Sequence, residues 1–152
     1  MLQELANIGS FAGGTGVLLS VIYLAVQTKL SVRSTRGATY QAVVGAISDW
    51  TRDVGLNAEV TRIVFAGLQD PETLTPSESL QFGLLLTSVV RNFENIHYQH
   101  STAAISSDTW SGWSARIYWM MKSPGAMVWW QQNKQYYSSA FGSFLADTPQ
   151  LK

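Results

Sequence analysis

Ile8-Gly-Ser-Phe-Ala-Gly-Gly-Thr-Gly-Val-Leu-Leu-Ser-Val-Ile-Tyr-Leu-Ala-Val26 is a run of 19 residues without a charged side chain. The charge-free stretch extends over residues 5–28, and its mean hydropathy lies in the range of membrane-spanning segments. At 1.5 Å per residue, about 20 helical residues cross the roughly 30 Å hydrocarbon layer. The run therefore predicts a retained transmembrane helix over residues 6–28, after a short tail of residues 1–5. Two readings compete. A signal peptide needs a basic start and a small-residue cleavage site, whereas Glu4 is the only charged side chain before the run. Tyr23-Leu-Ala-Val-Gln27 is a poor processing site, and Lys29 follows as a stop-transfer flank. A buried core helix is the other rival.

The flanks set an orientation. Lys29, Arg33 and Arg36 follow the span, and no acidic residue occurs after them until Asp49. The positive-inside rule then predicts residues 29–152 in the cytoplasm and the N-terminus outside. Within the span, Gly9 and Gly13 form a G-x-x-x-G pair, and Ala12 and Gly16 a second small-residue pair. Ser20 continues the row. Small residues let a neighbouring helix backbone approach closely, so Gly9, Ala12, Gly13, Gly16 and Ser20 are the candidate helix-packing interface. Glycine is also simply common in membrane helices, which is the plainer explanation of the same row. Ser10, Thr15 and Ser20 lining a ring of spans would make a channel or sensor.

Composition narrows the rest. The chain has 152 residues, 10 basic and 10 acidic, so 13% are charged where about 25% is usual. A 46% hydrophobic and 12% aromatic content argues against disorder. Balanced charge argues against an electrostatic nucleic-acid binder. With no cysteine, disulfides, thiol nucleophiles and Cys-based metal sites are excluded. The span explains only part of the shortage, since 19 of the 124 residues beyond position 28 are charged, roughly 15%. A soluble monomer normally displays more, which predicts surface covered by other copies, a partner or the bilayer.

Residues 29–152 read as a helical domain. Tyr40, Val43, Val44, Ile47 and Trp50 recur at helical spacing up to Gly55, with Ser34 or Thr35 as a possible restart and Gly37 as a bend. Asn57 caps a helix carrying Val60, Ile63, Val64 and Leu68, which stops at Gln69-Asp-Pro71. Thr75-Pro-Ser-Glu78 is a capping box with proline at the first helical position. Its helix carries Leu80, Leu84, Leu85, Val89, Phe93, Ile96 and His100. Further helices are expected from Ser107-Asp108, from Ser123-Pro124 with Met127, Val128 and Trp130, and around Phe141, Phe144 and Leu145. Nothing alternates with period two. The fold class is all-α: one transmembrane helix continuing into a bundle of about five helices.

The order of landmarks is distinctive: the span ending in Tyr23-Leu-Ala-Val-Gln27, Arg36 through Tyr40-Gln41, Leu68-Gln-Asp-Pro71 and the Thr75 cap. Phe93-Glu94 with Tyr98, Trp110-x-x-Trp113, Pro124-Gly125, Trp129-Trp130, Phe141 and Phe144 follow. This layout resembles a family of small bacterial proteins of unknown function with one membrane span and a helical cytoplasmic domain. The resemblance covers nearly the whole chain. It implies that architecture and a bacterial inner-membrane setting, and it carries over no catalytic residue.

One cluster suggests chemistry. Glu94 and His97 stand at i, i+3, like half of a di-iron carboxylate site, with His100 one turn on. The chain has only these 2 histidines, which excludes a complete intramolecular site. Two copies pooling ligands would be needed, and hydrogen bonds that fix helix packing are the plainer reading. No Gly-x-Ser-x-Gly elbow occurs, and Gly13-Gly14-Thr15-Gly16 lacks the Gly-Lys-Ser/Thr ending of a phosphate loop. No catalytic residue or cofactor is predicted. Trp110, Trp113, Trp119, Trp129, Trp130, Tyr136 and Tyr137 are candidates for core, for a contact surface or for a membrane-facing belt. Adjacent pairs diverge around a helix, so a contact surface takes some of them. The sequence thus points to a non-enzymatic single-pass protein, self-associating or docked as an accessory subunit in a larger membrane complex. An oligomeric metal-dependent enzyme using Glu94, His97 and His100 is the alternative.

Overall fold

The computed structural model describes the backbone of residues 2–147, and the surroundings of Gly14 and of residues 16–147. Within these bounds the chain is all-helical, with six α-helices and no strand. They are α1 (Leu2–Gly55), α2 (Ala58–Gln69), α3 (Pro76–Ser101), α4 (Ser107–Met121), α5 (Pro124–Asn133) and α6 (Ser139–Asp147). Short 3₁₀ turns, Pro71–Thr73 and Lys134–Tyr136, join α2 to α3 and α5 to α6. Contacts divide the chain into two units, Met1–Ala38 and Thr39–Lys152.

In the first unit, α1 runs without a break through Gly37, so the restart envisaged at Ser34 or Thr35 does not occur. Thr35 turns its hydroxyl back to donate to the Ser31 carbonyl at 3.0 Å instead of capping a new helix. No proline interrupts the ladder before Pro71.

In the second unit, caps set the boundaries. Asn57 Oδ1 accepts from the amides of Glu59 and Val60, both at 3.1 Å. The Thr75 box is complete: the Glu78 amide donates to Thr75 Oγ1, and Glu78 Oε2 accepts from the Thr75 amide at 2.7 Å. Ser106 Oγ accepts from the Thr109 amide to open α4. At the end of α3, Ala103 takes a left-handed conformation (φ 57°). The Ala103 and Ala104 amides close the helix by donating to the carbonyls of His100 and Gln99.

The core lies along Phe82, Leu86, Val89, Val90, Phe93 and Ile96 of α3. Val43, Ile63, Ile117, Met120, Trp129 and Phe141 close over it from the other helices. Two expected faces are corrected. Leu80 and Leu84 are exposed, because the buried stripe of α3 passes through Phe82 and Leu86 instead. On α5, Met127 and Val128 face outward while Gly125, Ala126 and Trp129 are buried. One close approach accounts for both. A Cβ on Gly125 would lie 1.7 Å from the Gly67 carbonyl oxygen, and one on Gly67 would lie 2.6 Å from the Phe82 ring. The α2 backbone is thus in contact with the α5 backbone and with the Phe82 ring. Trp50 fastens the end of α1 to α3, its Nε1–H donating to the Leu85 carbonyl at 3.2 Å.

Candidate functional site

In the first unit the candidate is the apolar segment itself. Gly14 and every residue from Gly16 to Ala38 are exposed, including Val17, Leu18, Leu19, Val21, Ile22, Leu24 and Val26. This helix is long and apolar enough to be a membrane span or a signal sequence. Each exposed Leu, Ile or Val leaves about 1.5–3 kcal/mol of burial energy unrealised while it faces water. Of the expected packing stripe, Gly9, Ala12 and Gly13 lie outside the residues whose surroundings are described. Gly16 and Ser20 lie inside them. A Cβ at Gly16 would meet nothing within 4 Å, and the Ser20 hydroxyl is satisfied by the Gly16 carbonyl at 2.8 Å.

In the second unit, Glu94, His97 and His100 follow one another on α3 but are put to separate uses. Glu94 Oε2 accepts from Arg91 at 2.5 Å, and Oε1 accepts from the Ser138 amide at 2.6 Å, just ahead of α6. Oε1 thus ties the start of α6 to α3, while Oε2 pairs with Arg91 within α3. Arg91 also lies 4.3 Å over the Tyr137 ring. His97 enters a cluster of rings, with Trp110 at 5.7 Å, Phe141 at 5.8 Å and Phe144 at 5.2 Å between centroids. His100 stacks nearly parallel on Trp110 at 4.8 Å, and its buried Nδ1 has no hydrogen-bond partner. Among the described residues no three His, Cys, Asp or Glu side chains converge as a metal site would require.

These groups make the α3–α6 contact sensitive to acid. Burial pushes the Glu94 carboxyl up, but the Ser138 hydrogen bonds and Arg91 outweigh it and hold the group below its ordinary 4.5. Burial, and then the neighbouring His100, hold His97 below its ordinary 6.5, against the opposing pull of Glu94. A depressed folded-state value means stability present above the unfolded value and lost as pH falls through the folded one. Both groups act in that direction. The thermal midpoint of the second unit is expected to fall steadily as pH drops from above 6.5 to below 4.5. Glu94→Gln should cost about 1–2 kcal/mol near neutral pH and flatten the lower part of this profile. Thermal unfolding followed by near-ultraviolet circular dichroism at several pH values checks it.

The seven aromatic candidates do not form one surface. Trp129 is buried, edge-on to Tyr137 at 6.1 Å and close to Gly83. Trp110, Trp113, Trp130 and Tyr137 are half-buried. Trp130 packs on Tyr137 and Phe141 at 5.2 and 5.8 Å, knitting α5 to α6. Trp119 and Tyr136 are the two of the set that are exposed. The bundle's own need for apolar area has absorbed the others. Sequence reading passed over Gly67 and took Gly125 only as a landmark, because glycine in a helix carries no signal of which backbone it will meet. It also passed over Arg116 and Lys122, one turn to either side of Trp119, and Phe65, which comes beside Trp119 only once α2 packs against the α4–α5 corner.

Comparison with protein-family models, curated proteins and solved structures finds no match for this chain.

Proposed function

We propose that the chain is a non-enzymatic, single-pass membrane protein whose helical domain serves as an assembly or accessory subunit in the cytoplasm. The observation that carries this reading is the apolar surface of α1 between Val17 and Val26, none of which is buried within the chain. Such a surface needs an apolar medium from outside, and a bilayer supplies it along the whole circumference of the helix. Lys29, Arg33 and Arg36 support an orientation with the N-terminus outside. Exposed Leu80, Leu84, Tyr98 and Tyr136 on the second unit support contact with other chains over catalysis.

Reporter fusions test the topology. A reporter active only in the cytoplasm, joined after residue 152, is expected to be active, and one active only in the periplasm silent. The reverse result would sink the orientation. Association through the span is tested separately. A Cβ at Gly16 would meet nothing within 4 Å, so Gly16→Leu should leave folding unchanged while blocking helix–helix approach. Crosslinking in membranes is expected to give at least about threefold less oligomer than the parent chain. An unchanged yield would remove Gly16 from the interface.

A further inference from the structure

On the second unit, α2, α4 and the start of α5 enclose an open groove of about 380 Å³. Phe65, Leu68, Trp119, Met120 and Pro124 supply its apolar wall, and Lys122 stands on its rim. Phe65 and Trp119 are 68% and 64% exposed, large rings held out to solvent beside a hollow that the bundle does not fill. Elsewhere in the unit, Lys134 donates to the neutral Gln131 Oε1 at 2.9 Å. Arg52, Arg62 and Arg91 are each tied to an acid, Asp49, the Glu59/Glu78 pair and Glu94 respectively. Arg116 and Lys122 form no ion pair among the described residues. Their cations rest instead on aromatic faces, Arg116 at 4.6 Å over Trp119 and Lys122 at 4.3 Å over Tyr118. No Asp or Glu lines the groove. Asp70, next to Gln69 on its edge, is turned to cap the Glu72 amide.

We propose that this groove docks on the anionic surface of a lipid bilayer, with Phe65 and Trp119 seated among the headgroups and Arg116 and Lys122 against lipid phosphates. Indole rings favour the headgroup layer, where one edge is apolar and the other wet. Two unpaired cations flanking such a ring match a negative leaflet, each strengthening its hold about fivefold. The proposal rests on the membrane anchor proposed above, which keeps the domain near a bilayer so that weak surface contacts suffice.

The chain has no cysteine, so a single label can be placed by substitution. Gln69→Cys carries an environment-sensitive nitrobenzoxadiazole dye at the groove's edge. Gln81→Cys, on the exposed side of α3, serves as the reference position. The full chain is reconstituted at low protein-to-lipid ratio into vesicles with about 30% phosphatidylglycerol, or none, and washed with alkaline carbonate. The groove label is expected to be quenched by shallow nitroxide lipids at least about threefold more in anionic vesicles than in zwitterionic ones. High salt should reverse this. Arg116→Gln with Lys122→Gln should weaken docking about 25-fold and return the signal to the zwitterionic level. The Gln81 label should stay in water throughout. A groove label that stays in water in anionic vesicles would overturn the proposal. So would protection that rises with protein-to-lipid ratio and ignores lipid charge, which would mean a second copy or an acidic protein partner. Loss of the chain in the wash would overturn the anchor instead. Flotation of that unanchored chain with anionic vesicles at low salt would then decide the groove, and failure to float would overturn it.

Discussion

Gly125→Ala is expected to cost the second unit about 3 kcal/mol or more and to lower its thermal midpoint by about 15 °C. The added Cβ would stand 1.7 Å from the Gly67 carbonyl oxygen, 2.8 Å from its carbon and 3.3 Å from the Leu68 Cα. All three are backbone atoms, so no side chain can rotate away, and relief requires α5 to lift from α2. Lifting α5 also withdraws Ala126 and Trp129 from the core. The hydrogen that now occupies the place of that Cβ points at the Gly67 oxygen, a weak contact that favours the crossing. A domain of this size has a total stability of about 5–15 kcal/mol, so the loss is a large share of the whole. Gly112→Ala is the matched control. It sits inside α4 with nothing within 4 Å of its Cβ, and should stabilise the unit by about 0.5–1 kcal/mol through helix propensity. Near-ultraviolet circular dichroism during heating, on chains in detergent, measures both. Equal midpoints for the two variants would show that the α2–α5 approach is looser than described.

Leu19→Arg combined with Ile22→Arg is expected to release the chain from membranes. Each change replaces an apolar side chain favoured in the hydrocarbon layer by one that costs about 3 kcal/mol at its centre. The pair therefore opposes insertion by about 6 kcal/mol, a factor on the order of 10⁴. Neither side chain is packed inside the chain, where both are exposed. Arginine is also a good helix former. The second unit makes its own contacts over Thr39–Lys152 and should keep its thermal transition. Alkaline extraction followed by immunoblotting of pellet and supernatant reads the result. A double variant that stays in the pellet would mean that the apolar face of α1 is covered by protein rather than lipid.

The helical boundaries were legible because their causes are local. Asn57, Thr75 and Pro76 act on amides two or three residues away, so no distant contact is needed to read them. Leu80 and Leu84 misled because a run of leucines at helical spacing has more than one possible buried face, and only Phe82 meeting Gly67 decides between them. Glu94 and His97 stand one turn apart on the central helix. Their partners, the Ser138 amide and the Phe141 and Phe144 rings, arrive from some forty residues further on. The aromatic residues divide in the same way. Nothing in Trp129-Trp130 says which ring a neighbouring helix will cover.

What the sequence determined by itself is the all-helical class, the caps that start α2 and α3, and an apolar N-terminal segment. Each depends on residues within one or two turns of helix or on plain composition. Tertiary structure decided which face of α3 and α5 is core, how Glu94 is occupied, and that Phe65 lines one groove with Trp119 and Lys122. The first of those outcomes turns on one close approach of two glycine-bearing helices. A glycine leaves room for a neighbour but does not specify which one will fill it.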